Sequence, residues 1–256
     1  MSYGLIVTVI AGLVVGSFVT AIQNRLDNLG SVLYGRSRCP KCNHILGVFD
    51  LLPIFSFVFL RGRCRYCRTK ISFLYPIIEL LSVVLALFTY YFSGFYASSI
   101  FLFLSLNILL LASVYDVKDQ EVDTWIFVLG IVLAVVWRFS IYFSSDTILS
   151  ILLGGVAAAV LPFCLSAFSK EKWMGYGDSF FATWIGVLCG FPTSLAGIFF
   201  AFLLGSIFGI ITVFVSKNRK KLKLRIPFGP FIAASGLLAM VFGNSFIEWY
   251  LKILGF

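Results

Sequence analysis

Two aspartates and four cysteines are the residues of this chain whose types and spacing could do chemistry. Asp116 closes the run Leu109-Leu110-Leu111-Ala112-Ser113-Val114-Tyr115-Asp116, and Asp178 sits in Gly175-Tyr176-Gly177-Asp178, so each stands where an apolar run meets a polar loop. Ionisable groups at such a boundary are costly unless paired or hydrated, which makes them functional candidates. Two carboxylates brought together can hydrolyse an amide without a metal or a nucleophilic serine. One, ionised, takes a proton from water while the other, protonated, polarises the carbonyl, and the pair shares one proton and titrates as a unit. Spacing alone leaves plainer readings open. Asp178 also suits the N-cap of the helix that follows, and Asp116 is one of three acids, with Asp119 and Asp123, in one short turn. Gly175 and Gly177 favour the chemical reading, because they let the backbone leave helical geometry beside the acid, where an extended peptide could approach closely. Glu79 stands alone in another apolar run, where it faces either a polar interior or the interface.

Cys39-Pro40-Lys41-Cys42 and Cys64-Arg65-Tyr66-Cys67 are separated by twenty-one residues. A two-residue spacer lets both thiolates of a pair turn onto one ion, so Cys39, Cys42, Cys64 and Cys67 are expected to form a tetrahedral zinc site. Arg38, Lys41, Arg63, Arg65 and Arg68 favour the thiolate form. A closed four-thiolate site has no open position for a substrate, so this zinc is expected to organise structure. A redox pair, or four ordinary thiols, is the competing reading. His44 is expected to be solvated, and Cys164 and Cys189 to behave as small buried hydrophobes.

The elements that must position these groups are membrane helices. The residues are 60% apolar and 12% charged, against roughly 45–50% and about 25% in an average soluble domain, which excludes an ordinary soluble protein. The spacing predicts an all-α polytopic protein with about eight transmembrane helices, at 4–24, 73–92, 97–115, 124–142, 147–169, 179–191, 193–215 and 229–250. The sixth is only thirteen residues long and needs help from the preceding turn to cross. The first lacks a basic leader region and is expected to be a retained span. The expected division is 1–24 as the first span, 25–72 as a cytoplasmic zinc-binding loop, and 73–256 as a seven-span domain carrying both acids. With the N-terminus outside, segments 25–72, 116–123, 170–178 and 216–228 share one side and hold eighteen of the twenty Lys and Arg, leaving Arg138 and Lys252 opposite. That side is the cytoplasm by the positive-inside bias. The net charge of +9 therefore reports topology and anionic lipid, with no nucleic acid as partner. Within 25–72, the apolar stretch 49–60 contains Pro53 and is too short to cross, so it is expected along the interface or against the bundle. Gly205-Ser206-Ile207-Phe208-Gly209 is a small-xxx-small pattern suited to close helix packing.

Taken together, these motifs resemble the bacterial type IV prepilin leader peptidases, of the GxGD membrane aspartyl protease group. Gly16-Ser17-Phe18 with Arg25, the two cysteine pairs, Asp50-Leu51-Leu52-Pro53, Arg61-Gly62-Arg63-Cys64, Tyr75-Pro76 with Glu79, Asp116-Val117-Lys118, Gly175-Tyr176-Gly177-Asp178 and Ile226-Pro227-Phe228-Gly229-Pro230 match its motifs in order. The resemblance implies an enzyme of the inner membrane that cuts a short basic leader from prepilin-like precursors at the cytoplasmic face, serving type IV pilus-like systems. It maps the catalytic aspartates onto Asp116 and Asp178. It also implies that the new N-terminus is methylated with S-adenosylmethionine in many members, an activity linked to the cysteine loop. Residues 25–72 are too few for a Rossmann unit, so the resemblance alone carries that second activity. Thr20 and Asp123 depart from the family, which usually has Asn and Pro there. The rival from another class is an ion- or proton-coupled transporter or scaffold, which would place acids near the midplane and show a repeated half.

Overall fold

The computed structural model describes residues 2–23, 36–215 and 226–255. Arg25, the first part of the expected 25–72 loop and the basic run within 216–225 lie outside the described residues. Eight long helices occupy the eight expected spans: α1 Ser2–Gln23, α2 Leu74–Ser93, α3 Ser99–Lys118, α4 Thr124–Ile141, α5 Ser145–Ser169, α6 Tyr176–Cys189, α7 Thr193–Val215 and α8 Gly229–Leu254. Among the described residues the only extended pairing is two isolated antiparallel bridges, Arg38 with Ile45 and Arg63 with Lys70. Seven of the helices are long and apolar enough to cross a membrane. The sixth, α6, has 14 residues and rises about 21 Å, short of a hydrocarbon core about 30 Å thick.

The chain forms two compact units, Met1–Asn107 and Ile108–Phe256, whose boundary falls inside α3. In the first unit α1 lies against α2 through two glycines. A Cβ on Gly12 would stand 2.7 Å from Val83 Cα, and one on Gly16 2.8 Å from Glu79 Cα, so the backbones meet with no room for a side chain. A buried polar contact, Ser82 Oγ to Asn107 Oδ1 at 2.6 Å, ties α2 to the first half of α3. Glu79 is buried and accepts the amide of Ile54 through Oε2 at 2.7 Å, which answers the question left by its sequence. It anchors the 49–60 stretch to α2. There a 3-10 turn, Val48–Asp50, leads to a one-turn helix, Phe55–Phe59.

In the second unit α6 is the centre. Phe181, Ala182, Trp184, Ile185 and Leu188 are each 1% exposed or less, and each neighbouring helix supplies a notch for them. Trp184 fills the space over Gly130 of α4, Gly154 of α5 crosses Gly186 backbone to backbone, and Ile185 lies over Gly236 of α8 and Gly197 of α7. A helix walled by protein on these sides has no need of twenty lipid-facing residues, which is why α6 can be short. It stops at Gly190, whose φ of 73° only glycine adopts freely. There Arg138 of α4 lies within 3.4 Å of Ser150 Oγ, placing a cation at the negative pole of α6. The small-xxx-small pattern of α7 is used only in half. Gly205 takes the ring of Phe228, whereas a Cβ on Gly209 would meet nothing within 4 Å.

Candidate active site and cysteine cluster

The second unit brings Asp116 and Asp178 together with the start of α8. Asp116 lies in the last turn of α3, half-buried, and its Oδ2 accepts the amide of Gly229 at 2.9 Å. That amide is one of the unpaired donors at a helix N-terminus, so the acid and α8 satisfy each other. Asp178 is the third residue of α6, also half-buried, and its Oδ2 accepts the Gly175 amide at 3.1 Å while its own amide donates to Gly175 O. It therefore caps α6 as the plainer reading expected, although from N3, with Gly175 as the N-cap. The two carboxylates are within electrostatic reach of each other. Ser166 Oγ donates to the carbonyls of Met174 and Gly175 at 3.0 and 2.9 Å, which fixes the loop before α6 to α5. Ser166 lies three residues before the end of α5, so the loop is fixed about 4–5 Å below that end, and Asp178 lies about 3 Å beyond the start of α6.

The two glycines differ in backbone conformation. Gly175 is extended at φ −80°, ψ 157°, a conformation open to any residue, and Gly177 lies in the first turn of α6. Neither leaves helical geometry through a glycine-only φ. What they provide is room, since a Cβ on Gly177 would meet nothing within 4 Å and one on Gly175 nothing nearer than 3.9 Å. The demanding glycine is Gly229. A Cβ there would lie 2.7 Å from Asp116 Oδ2 and 2.6 Å from the Phe181 ring. In the sequence Gly229 is marked only by its place in Ile226-Pro227-Phe228-Gly229-Pro230. The competing acids sit apart from this arrangement: Asp119 and Asp123 are exposed, and Asp123 Oδ2 accepts the Trp125 indole at 3.3 Å.

In the first unit, Cys39, Cys42, Cys64 and Cys67 converge with all four Sγ atoms within 4.8 Å of one another, a cluster that could hold a metal ion. Each pair sits in the same local turn. Cys39 N donates to His44 O and Asn43 N to Cys39 O, while Cys64 N donates to Thr69 O and Arg68 N to Cys64 O. Asn43 and Arg68 take matching left-handed conformations at φ 54° and 60°. This twofold repeat of a turn is absent from the sequence expectations because only the cysteines and their basic neighbours coincide. Asp50 joins the second turn to the apolar stretch, pairing with Arg65 at 2.9 Å and accepting from Tyr66 OH at 3.3 Å. His44 is exposed, as expected, and its ring lies tilted against Tyr66 with centroids 3.6 Å apart. The Thr69 hydroxyl and amide lower the Cys67 thiol to about 6. Cys42 has a backbone hydrogen bond at His44 that favours its thiolate, yet burial and the neighbouring Cys39 and Cys67 push it up to about 11.

Comparison with known proteins places this architecture. Residues 10–93 match the Bacterial Peptidase A24 N-terminal domain, and residues 101–210 match the Type IV leader peptidase family. A prepilin leader peptidase/N-methyltransferase of Bacillus subtilis is 30% identical over 259 residues, covering 95% of this chain and 96% of the relative. The chain belongs to the type IV leader peptidase family. Proteins of the same description from Burkholderia pseudomallei (strain K96243) and Pseudomonas aeruginosa are 27% and 25% identical, over 93% and 97% of this chain and 85% and 94% of theirs. No solved structure matches the chain. The leader peptidase family is a protease family, so this chain is an enzyme and a multi-pass membrane protein.

Proposed function

We propose that this leader peptidase is an aspartyl endopeptidase that removes the leader of type IV prepilin-like precursors at the cytoplasmic face of the bacterial inner membrane, with Asp116 and Asp178 as its catalytic pair. The observation that carries the proposal is the pairing itself: two half-buried acids within electrostatic reach, one on the α8 amide of Gly229 and one capping α6. The ionised partner takes a proton from water, whose oxygen attacks the scissile carbonyl carbon. The protonated partner donates to the carbonyl oxygen. Collapse of the tetrahedral intermediate breaks the C–N bond, the leaving amine takes up a proton, and the leader departs with a new carboxyl group. The open space over Gly175 and Gly177 gives an extended peptide backbone a place beside Asp178. The side holding eighteen of twenty Lys and Arg supports a cytoplasmic site with the N-terminus outside. Asp116 and Asp178 lie near the ends of their helices, whereas the transporter reading expects acids near the midplane. Purified enzyme in liposomes should cut a prepilin-like precursor at one leader junction, read by N-terminal sequencing. An intact precursor would overturn the proposal.

Zinc suits the cysteine cluster. Four thiolates at about 2.3 Å from a tetrahedral zinc stand about 3.8 Å apart, and Cys39 and Cys67 Sγ are 3.7 Å apart. Cys39, Cys42, Cys64 and Cys67 would hold the ion, which would neutralise their charge and fix the two turns against each other. Cys39→Ser is expected to lower bound zinc well below one per chain and to speed proteolysis within 36–72, measured by metal analysis and limited digestion. Methylation of the new N-terminus with S-adenosylmethionine is proposed on the double name of the relatives. Residues 36–72 contain no strand-to-helix glycine loop to cradle that donor, so no residue is assigned to it. Mass spectrometry of a product processed with S-adenosylmethionine present should show one added methyl group at the new N-terminus.

A further inference from the structure

Residues 48–60 combine an apolar surface exposed among the described residues, ties to a membrane helix and a cluster of cations. Val48, Phe49 and Phe59 are 78%, 73% and 82% exposed, and Phe55 and Val58 are exposed as well. Five large apolar groups on a short segment far exceed the scattered exposure normal for a soluble loop. Two contacts fix how far along α2 the segment sits. The Phe57 ring packs edge-on against Phe73, the residue before α2, with centroids 5.2 Å apart. The Ile54 amide reaches Glu79, five residues into α2, or about 7–8 Å along its axis. Leu74, Ile77, Leu80 and Leu81 of the same stretch of α2 are exposed, as a lipid-facing helix surface must be. The one-turn helix Phe55–Phe59 thus lies level with the first turns of a membrane-crossing helix, inside the depth where headgroups give way to acyl chains.

The charges complete the surface. Residues 36–72 carry eight Lys and Arg against one acid, Asp50, and that acid is paired with Arg65. Arg61, Arg63, Arg68 and Lys70, which follow the apolar segment directly, are exposed. Each cation near an anionic leaflet contributes about 1 kcal/mol of attraction. We infer that the segment 48–60 is an interfacial anchor: Val48, Phe49, Phe55, Val58 and Phe59 insert into the leaflet at the cysteine-loop side, and Arg61, Arg63, Arg68 and Lys70 hold its anionic headgroups. A soluble partner protein is disfavoured as the occupant, because the Glu79 and Phe73 ties keep this face at the membrane. The anchor seats the cysteine cluster on the surface through Asp50, which joins the anchor to the second turn. The inference rests on α2 crossing the membrane and is independent of the protease chemistry.

The test places the photoreactive residue p-benzoylphenylalanine at position 59, and separately at 58, in the full chain reconstituted in vesicles of phosphatidylcholine with phosphatidylglycerol. A third chain carries it at position 41, where Lys41 is exposed on the first cysteine turn. Irradiation and mass spectrometry should find lipid adducts at 59 and 58 and at most traces at 41. Adducts at 58 and 59 to protein only, or none in chains that retain their zinc, would overturn the anchor. Amide exchange over 55–59 should also be several-fold slower in phosphatidylglycerol-containing vesicles than in phosphatidylcholine alone, with the difference removed in an R61Q/R63Q/K70Q chain. Equal exchange in both vesicles would overturn the part assigned to the cations. Loss of leader cleavage would leave both readouts unmoved, so the two accounts fail separately.

Discussion

Asp178→Asn is expected to reduce leader cleavage by about 10²–10⁴-fold, the range lost when a positioned acid or base is removed, while leaving the fold intact. The amide keeps the size of the carboxylate, and its oxygen can still accept from the Gly175 amide, so the cap on α6 survives. What is lost is the second titrating group of the pair. The wild-type rate should be bell-shaped in pH, because activity needs one proton on the pair and disappears when it holds none or two. The residual rate of the variant should lose that shape. Cleavage of a precursor in proteoliposomes across pH, beside the thermal transition of each protein, checks both points. A variant with full activity would remove Asp178 from the chemistry.

Gly229→Ala is expected to be nearly as damaging although it touches no ionisable group. Its Cβ would stand 2.7 Å from Asp116 Oδ2 and 2.6 Å from the Phe181 ring, so either the carboxylate or the start of α8 must move. Movement in either direction breaks the Gly229 amide contact and shifts Asp116 relative to Asp178. Displacing a reacting group by about 1 Å can cost about 10²-fold, and the loss should appear in kcat. Gly177→Ala makes the contrast. Its Cβ meets nothing, and alanine is favoured over glycine in a helix by about 1 kcal/mol, so Tm should hold or rise. If a peptide backbone passes over Gly177, KM should rise. Unchanged KM and kcat would withdraw the substrate role from that glycine.

Much of the fold was legible because hydropathy in membrane helices is direct. Each observed helix boundary lies within four residues of the expected one, the largest difference being at the end of α8. The short sixth span was legible as an anomaly, but its cause was not. That α6 is walled by Gly130, Gly154, Gly197 and Gly236 depends on which glycines face which neighbours, and linear spacing does not encode that. Similarly, Asp116-Val117-Lys118 set Asp116 apart from Asp119 and Asp123 only through the family resemblance, whereas its contact with the Gly229 amide, 113 residues away, is not encoded in local spacing. Glu79 was ambiguous for the same reason, since its partner is a backbone amide in another segment. The cysteine spacing, by contrast, carried the cluster outright, because ligand geometry tolerates few alternatives.

The proposed catalytic pair, Asp116 and Asp178, is tested most directly within the 116–123 turn, where three acids stand close in sequence. Asp116→Asn, Asp119→Asn and Asp123→Asn should be compared in single-turnover cleavage of one prepilin-like precursor, each in proteoliposomes at matched protein content. Asp116→Asn is expected to lose about 10²–10⁴-fold, while the exposed Asp119 and Asp123 variants keep near wild-type rates. Cleavage retained by Asp116→Asn and lost in Asp119→Asn or Asp123→Asn would contradict that pairing.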